Sequence, residues 1–229
     1  MHVSYMGEMG NQLFQFVLGR ILSEELGFSL QADAIPGFAS TEGFSRADVT
    51  SVEPDEICQG QVIDLATLRR NHNPRSIRLQ GYFQRYEYYR PYKHLIRERW
   101  LKPLPSVAPP PAADDLVVHV RRKDYIAYGW AAPFSYYQTA IESQNFNRLV
   151  IVTDDLKDPF FWRFRSYQPV FFEGNALDSF AYLAHANRLV ISQSSFSWWA
   201  AFLSEAESVV MPKLSYGIWA EPDVDLTID

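Results

Sequence analysis

The sequence predicts an α/β fold divided into two lobes. Each lobe opens with a short apolar run, and a helical pattern of apolar residues follows that run. In the second lobe, strand-like and helix-like runs alternate, which is typical of a mostly parallel sheet whose strands are buried on both faces. Pro109, Pro110 and Pro111 stand in succession between the lobes, and such a run is compatible with neither a helix interior nor a central strand.

The predicted lobes cover residues 1–106 and 114–229, and residues 107–113 form the predicted proline-rich linker. A proline-rich surface loop inside a single domain is the alternative. In the first lobe we predict a strand at His2–Met6, a turn at Gly7–Gly10 and a helix that ends near Gly27. The predictions for the second lobe are strands at residues 116–120, 149–152 and 189–192 and helices near residues 135–145, 176–187 and 196–204.

Composition excludes several classes of protein. The 229 residues carry a formal net charge of −6, which argues against a protein that coats nucleic acid nonspecifically. Cys58 is the single cysteine, so no intramolecular disulfide forms, in keeping with a reducing compartment. No apolar run approaches the ~18 residues of a transmembrane helix, and no secretory signal opens the chain. We expect a cytoplasmic protein without a transmembrane segment, and peripheral contact with a membrane stays open.

Polar clusters follow four of the predicted strands at the point where each strand ends. These clusters occupy residues 7–12, 121–124, 153–155 and 193–195. Ligands of open α/β sheets bind outside the carboxyl ends of the strands. The sequence therefore predicts a ligand site at these strand ends.

The strongest cluster is the cationic run after the strand that contains His119. Arg121, Arg122 and Lys123 are costly to hold together unless an anion lies among them, and arginine grips phosphate oxygens with a planar fork. Alternation along a strand turns His119 and Arg121 to one face and Arg122 to the other. We therefore expect one arginine to face a ligand and the other to pair with a carboxylate such as Asp124. A solvated charge run is the alternative.

A second cluster combines hydroxyl residues with the predicted start of a helix. Ser194 or Ser195 is placed to cap that helix and to present its free N–H groups to an anion. Simple N-capping is the alternative for the serines. We predict that Trp198 and Trp199 pack in the core.

The third cluster contains the paired carboxylates Asp154 and Asp155. They are suited to hold Mg²⁺ together with Asp158, to accept hydrogen bonds from a guanine or a ribose, or to cap a helix. A metal is less needed where arginines already supply positive charge. Asn175 and Asp178 have the spacing of a capping box.

The remaining motifs are a glycine loop and an aromatic stretch. Residues 7–12 open a helix but match neither a Walker loop nor a dinucleotide fingerprint, and HExxH and CxxC are absent from the sequence. Residues 81–89 hold five aromatic side chains, which suit either a sugar-accepting cleft or packing between the lobes.

Taken together, these segments resemble the bacterial α-1,2-fucosyltransferase family, glycosyltransferase family 11. The likeness runs over almost the whole chain in the same order. The HxRRxD and SSFSWW motifs are specific, and they are shared with the wider group of α-1,2-, α-1,6- and protein O-fucosyltransferases. The segments of this chain that match the family patterns are GEMGNQLFQ at 7–15, GYFQ at 81–84, HVRRKDY at 119–125, TDD at 153–155 and SSFSWW at 194–199.

The resemblance implies a GT-B architecture, in which two Rossmann-like lobes face each other across a nucleotide-sugar cleft. It implies transfer of fucose from GDP-fucose to a glycan hydroxyl with inversion, in an α-1,2 linkage, and it implies no metal or other cofactor and no nucleic acid. A nucleotide-sugar or glycan-binding module that has lost transfer is an alternative, and so is a transferase that uses another GDP-sugar. A metal-dependent GT-A-like transferase that uses Asp154 and Asp155 is a third interpretation.

The resemblance also implies roles for individual residues. Arg121 would bind the diphosphate, and the first lobe would carry the acceptor side with Tyr82, Phe83 and Gln84. Glu8 stands where the family has a glycine, which makes it the first candidate for the general base, with Asp124 second. The residues expected to contact the nucleotide sugar are Gly10, Asn11, Gln12, His119, Arg121, Arg122, Asp154, Ser194, Ser195 and Phe196.

Overall fold

The computed structural model describes residues 1–41, 56–60, 62–70, 76–102, 104–213, 225–226 and 228. By its internal contacts the chain divides into two compact units. Unit 1 comprises Met1–Leu104 together with Pro222–Asp229, and unit 2 comprises Pro105–Glu221.

Unit 1 contains a small parallel sheet with helices. In chain order its strands and helices are β1 (His2–Val3), α1 (Met9–Leu26), β2 (Glu56–Gln59), α2 (Leu65–Arg70), β3 (Ile77–Gln80), α3 (Tyr86–Tyr89) and α4 (Lys93–Leu95). Short 3₁₀ turns lie at Ala39–Thr41 and Arg90–Tyr92, and a π-helical turn lies at Ile96–Trp100. The strand order is β1-β3-β2 with parallel pairing, and Val3 lies opposite Leu79 in the register.

Helix α1 ends beside Gly27 as predicted, but it begins at Met9, inside the predicted turn at Gly7–Gly10. Strand β1 covers only His2–Val3 of the predicted strand His2–Met6. Gly7 supplies the left-handed turn before the helix with a φ of 72°, and Gly27 ends it with a φ of 73°. The backbone N–H groups of Gly27 and Phe28 both donate to the carbonyl of Ser23, which satisfies the end of the helix. The apolar positions of α1 are almost completely buried.

The aromatic stretch after β3 packs inside unit 1. Phe83 and Tyr89 are fully buried, and the hydroxyl of Tyr89 donates to the backbone carbonyls of Phe83 and Phe14. The hydroxyl of Tyr88 accepts a hydrogen bond from the backbone N–H of Ile63. These side chains therefore form the core of unit 1 itself.

Unit 2 is a larger parallel α/β unit. In chain order its strands and helices are β4 (Asp115–Val120), α5 (Lys123–Ala127), α6 (Phe134–Glu142), β5 (Arg148–Thr153), β6 (Val170–Phe171), α7 (Ala176–Ala184), β7 (Arg188–Val190), α8 (Ser195–Leu203) and β8 (Ser208–Val210). A 3₁₀ helix occupies Pro159–Tyr167. The predicted capping box is confirmed at the start of α7, where Asn175 and Asp178 exchange side-chain hydrogen bonds with each other's backbone N–H.

The order of the strands in unit 2 creates a switch point at the centre of the sheet. The five parallel strands lie in the order β6-β5-β4-β7-β8. The chain runs outward from β4 to one edge through β5 and β6, and it then returns to the other side through β7 and β8. Crevices at such a reversal are where open α/β sheets bind ligands. The fold therefore places a candidate site at the carboxyl ends of β4 and β7.

Strand β4 is buried along its whole length and presents different residues to its two faces. Leu116, Val118 and Val120 belong to one apolar cluster, which also holds Tyr137 and Phe164. Successive side chains point to opposite faces of a sheet, so His119 lies on the other face.

That second face of the unit 2 sheet carries helix α8. The side chains of Trp198 and Trp199 on this helix have no exposed surface. The prediction that both tryptophans lie in the core is confirmed.

The division of the chain differs from the predicted lobes at two places. The proline-rich residues 107–113 belong to unit 2, because Ala112 N–H donates to Asp115 and the carbonyl of Ala113 accepts from Arg188. At the other end, Asp225 belongs to unit 1, because its backbone N–H donates to the carbonyl of Gln84. Hydrogen bonds of the folded chain account for both differences, and local composition does not record them.

Across the described ranges, none of the helices combines the length and the apolar character that crossing a membrane requires.

The ion pair at the start of β4 stabilises unit 2. Arg148 contacts the buried carboxylate of Asp115 through both Nε at 2.9 Å and Nη2 at 2.5 Å. Burial alone would raise the pKa of Asp115, but the hydrogen bonds from Arg148 and from the backbone of Ala112 outweigh it and hold the pKa below its usual value. The pair therefore favours the ionised carboxylate.

We expect Asp115→Asn to lower the free energy of unfolding by about 2 kcal/mol at pH 7, because a charge-assisted hydrogen bond is lost. Urea denaturation measures this change. Since the pKa is lower in the folded state, the stabilisation is complete above the unfolded-state pKa and is lost as the pH falls through the folded-state value.

Glu98→Gln is the matched control, because Glu98 pairs with Lys102 at an exposed site. Its expected cost is much smaller than that of Asp115→Asn, because an exposed ion pair contributes little to stability. Equal losses in the two variants would contradict a stabilising role for the Asp115 pair.

Candidate functional site

Arg121 lies just beyond the end of β4, and three side chains hold its guanidinium. Its Nη2 donates to Oδ1 of Asp124 at 2.6 Å, and its Nη1 lies 2.9 Å from Oδ2 of Asp154. The guanidinium also lies over the ring of Tyr125, 5.2 Å from its centroid. The Nε of Arg121 is buried and has no hydrogen-bond partner among the described residues. The guanidinium is therefore fixed in place, and the described residues leave its Nε donor unused.

Arg122 turns to the opposite side, as strand alternation predicts, and it is enclosed by protein. Its Nε donates to Oδ2 of Asp158 at 2.6 Å, and its guanidinium lies 4.0 Å from the ring centroid of Phe160. The side chains of Arg122 and Asp158 are only 12% and 11% exposed. This position favours a structural role for the Arg122 side chain over the nucleotide-sugar contact expected from the sequence.

The backbone N–H of Arg122 makes a separate contact, with Asp154. This N–H donates to Oδ1 of Asp154 at 2.8 Å, which orients the carboxylate that contacts Arg121. Asp154 thus joins the ends of β4 and β5. The family resemblance implied that Asp154 contacts the nucleotide sugar. The structure places Asp154 beside the guanidinium of Arg121.

His119 is buried on the face of β4 that carries α8. Its Nδ1 lies 2.7 Å from the hydroxyl of Ser192, and its ring is 5.7 Å from that of Phe196. Burial, with the charge of Arg121 as a second cause, lowers the pKa of His119 to about 3. The imidazole is therefore neutral at pH 7 and supplies no positive charge to a ligand.

Helix α8 begins at Ser195 beyond the end of β7. Ser194 takes the N-cap position, but its hydroxyl does not cap the helix. The side chain of Ser194 lies close enough to the phenol of Tyr125 to influence its pKa, and the Tyr125 ring lies against Arg121. Burial is the largest influence on Tyr125 and raises its pKa, so the phenol stays protonated at neutral pH. Tyr125 therefore links the end of β4 to the start of α8.

The other acidic residues after β5 serve local structure. Oδ1 of Asp155 accepts from the backbone N–H of Lys157, and Asp158 caps the 3₁₀ helix by accepting from Phe160 N–H. Within the described parts of the chain, no group of three or more His, Cys, Asp or Glu side chains is arranged to hold a metal ion.

The glycine loop of unit 1 is tied to the segment after β3. Oδ1 of Asn11 accepts from Nε2 of Gln84 at 2.9 Å, and Nε2 of Gln12 donates to the carbonyl of Gly7 at 3.0 Å. Gly10 is buried at the start of α1. The fold therefore brings together Asn11 and Gln84, which lie 73 positions apart in the sequence.

Glu8 is exposed at the N-cap position of α1, and its side chain does not cap the helix. The carboxylate is therefore not used by its own helix.

The three residues expected on the acceptor side have different positions within unit 1. The side chain of Phe83 is completely buried, and Gln84 is almost completely buried with its amide on Asn11. Tyr82 is partly exposed. The burial of Phe83 favours a packing role for its side chain, and the acceptor-side role of the three residues stays a prediction.

The sequence analysis did not assign the contacts that three residues make at the site. Tyr125 lies between Arg121 and Ser194, and Asp158, considered there only for a metal, encloses Arg122 together with Phe160. Tyr125 stood inside the HVRRKDY motif, so a phenol one helical turn after Arg121 was the available signal. The partners of Arg122 lie in another element, and no local pattern points to them.

Comparison with known proteins places this geometry in a family. The model of glycosyl transferase family 11 matches residues 79–217, more than half of the chain. The chain belongs to glycosyl transferase family 11. The match contains the Arg121 cluster and the start of α8, and the expected fucosyltransferase is confirmed at the level of the family.

Two solved structures share the fold. The crystal structure of POFUT1 in complex with GDP matches with a TM-score of 0.55 and 12% sequence identity, over 92% of this chain and 96% of that chain. POFUT1 in complex with GDP-fucose matches with a TM-score of 0.53 and 11% identity, over 93% and 96%. The expected GT-B fold is confirmed by this likeness. No curated protein sequence matches the chain significantly.

The neutral state of His119 predicts a pH dependence of stability. An unfolded histidine takes up a proton near pH 6.5, whereas folded His119 does so only near pH 3. Since the unfolded state binds more protons between these values, stability falls as the pH falls through this window. The loss between pH 7 and pH 5 from this one group is about 2 kcal/mol.

We expect His119→Asn to remove this part of the pH dependence in urea titrations at pH 7 and pH 5. His185→Gln, at an exposed position, is the control and should keep it. If His119→Asn retained the wild-type slope, the buried neutral state of His119 would be refuted.

Proposed function

We propose that this protein transfers fucose from GDP-fucose to a hydroxyl of a glycan acceptor. The observation that carries the proposal is the Arg121 guanidinium, which Asp124, Asp154 and Tyr125 hold close to the first turn of α8. Membership of family 11 and a fold shared with POFUT1, which has been solved with GDP and with GDP-fucose, support the same donor.

Positive charge at this position serves the chemical step. As the sugar–phosphate bond breaks, negative charge grows on the β-phosphate, and one preorganised donor there is worth about 3–4 kcal/mol of transition-state stabilisation. His119 is neutral, and Arg122 is enclosed with Asp158. Arg121 packs on Tyr125, which lies near Ser194 at the start of α8, and the N–H groups of that helix add partial positive charge.

The carboxylates around Arg121 differ in how easily a ligand displaces them. Asp124 is 45% exposed, and such an exposed ion pair is worth at most about 1 kcal/mol. Asp154 is 14% exposed and is also held by the N–H of Arg122. A diphosphate would therefore replace Asp124 on Nη2, while Asp154 keeps the guanidinium oriented.

Inversion in a single displacement requires a base for the acceptor hydroxyl. Glu8 is our first candidate, because its carboxylate is exposed and does not cap α1. Asp124 is the second, because its replacement on Arg121 by a phosphate would free its carboxylate. We extend inversion, the α-1,2 linkage and transfer without a metal to this chain from the family resemblance, and a cytoplasmic location stays a prediction from the sequence.

Arg121→Ala tests the central role of the guanidinium. We expect turnover, measured as GDP release from GDP-fucose with methyl β-D-galactoside as acceptor, to fall by about 10²–10³-fold. Arg163→Ala removes an exposed arginine from the Pro159–Tyr167 helix and should leave turnover unchanged.

Two outcomes would count against the proposal. Near-normal transfer by Arg121→Ala with unchanged GDP binding would refute the role of Arg121. A wild-type protein that binds GDP-fucose but releases no GDP would instead indicate a binding module without transfer activity.

Glu8→Gln tests the base. We expect turnover to fall by about 10²–10⁴-fold with GDP affinity unchanged, because the amide cannot accept the proton. Glu173→Gln, at an exposed position in unit 2, is the control. If Glu8→Gln keeps full turnover while Asp124→Asn loses it, the base is Asp124.

A further inference from the structure

The segment after α5 folds into a tight loop that presents aromatic rings. The backbone N–H groups of Trp130 and Ala131 both donate to the carbonyl of Tyr125, at 2.9 Å and 3.2 Å. Gly129 has a φ of 71°, a value that permits the loop to turn back on α5. The loop is therefore held by its own backbone and needs no ligand to order it.

The ring of Tyr125 in α5 and two rings of the loop are in successive contact, and we call Tyr125, Tyr128 and Trp130 the aromatic platform. The rings of Tyr125 and Trp130 meet edge to face with centroids 5.6 Å apart. The rings of Tyr128 and Trp130 are 4.9 Å apart and tilted by 40°. Because the Tyr125 ring lies against Arg121, the platform starts at the proposed phosphate site and extends away from it.

The outer part of the platform is open to solvent. Tyr128 is 60% exposed, and Ile126 beside it in the sequence is 49% exposed. Trp130 is partly buried, in contrast to Trp198 and Trp199, which have no exposed surface. The ring of Tyr128 is therefore accessible to a ligand.

The chemistry of the proposed reaction identifies the ligand class. The attacking hydroxyl must come within about 3–3.5 Å of the anomeric carbon, so the acceptor ring lies near the phosphate that leaves. A hexopyranose presents a face of C–H groups that packs on an aromatic ring, and its hydroxyl edge can bond with a tyrosine hydroxyl. The exposed ring of Tyr128 is connected to Tyr125 through Trp130, so it lies within two ring contacts of the Arg121 site.

We propose that Tyr128 and Trp130 form an acceptor subsite, on which a hexopyranose ring of the glycan stacks beside the donor phosphate. This inference rests on the proposed fucosyl transfer, and it assigns to unit 2 a part of acceptor recognition that the sequence placed on unit 1. Rigid aromatic rings lose little conformational freedom on binding, which suits them to this role.

The test uses Tyr128→Ala and Tyr128→Phe in the full chain, because Tyr128 is exposed and its removal leaves no cavity in the core. Methyl β-D-galactoside is the acceptor probe, and GDP-fucose is the donor. We expect Tyr128→Ala to raise the KM for the galactoside about tenfold, with the KM for GDP-fucose unchanged. Tyr128→Phe keeps the ring and should stay close to wild type.

Trp162→Ala is the matched control, since Trp162 is 77% exposed and lies outside the platform. Its KM for the galactoside should equal that of the wild type. Saturation-transfer NMR of the galactoside in the presence of GDP adds a readout that requires no turnover. It should show saturation of the sugar by the wild type and by Tyr128→Phe, and loss of that saturation in Tyr128→Ala.

The outcomes separate this inference from the proposed function. An unchanged galactoside KM and unchanged NMR saturation in Tyr128→Ala, with GDP release intact, would overturn the subsite and leave the transferase standing. A loss of GDP affinity in Tyr128→Ala would also overturn it, because the platform would then stack the guanine. Failure of the wild type to bind GDP would refute the proposed function itself.

Discussion

The contact between Arg121, its two carboxylates and Tyr125 is the interaction on which the candidate site depends. A guanidinium on a strand end has many rotamers, and Asp124, Asp154 and Tyr125 restrict it to one place. Tyr125 also lies near Ser194, so the same cluster spans the end of β4 and the start of α8. The switch point of the sheet lies between β4 and β7, the strands that precede Arg121 and α8, and the first turn of α8 adds partial positive charge there.

The two adjacent arginines of the motif have different environments. These environments suit Arg121 to ligand binding and Arg122 to a structural role. Arg122 is held by Asp158 and lies over Phe160, where removal of either charge would leave the other buried and unpaired. Arg121 has one exposed acidic partner, whose displacement costs little. One arginine therefore anchors the loop, and the other is available to an anion.

The sequence predicted those features of the site that depend on residues adjacent in the chain. Strand alternation predicted different environments for Arg121 and Arg122, and the serine run predicted a helix near residues 196–204, one residue from the observed start at Ser195. Short strands such as β6 were missed, because two residues carry no periodicity. The pairing of Arg122 with Asp158 and the burial of Phe83 were missed because long-range packing decides them. The motif likeness identified the family, whereas the position of each side chain required the fold.

The central claim is that Arg121 and the start of α8 neutralise a diphosphate. Calorimetric titration of the wild-type protein with GDP, GMP and guanosine tests this claim most directly. The account predicts that affinity falls at each removal of a phosphate, with the larger fall between GDP and GMP, and that added salt weakens GDP binding most. Guanosine binding as tightly as GDP would contradict the account, because the base alone would then provide the affinity.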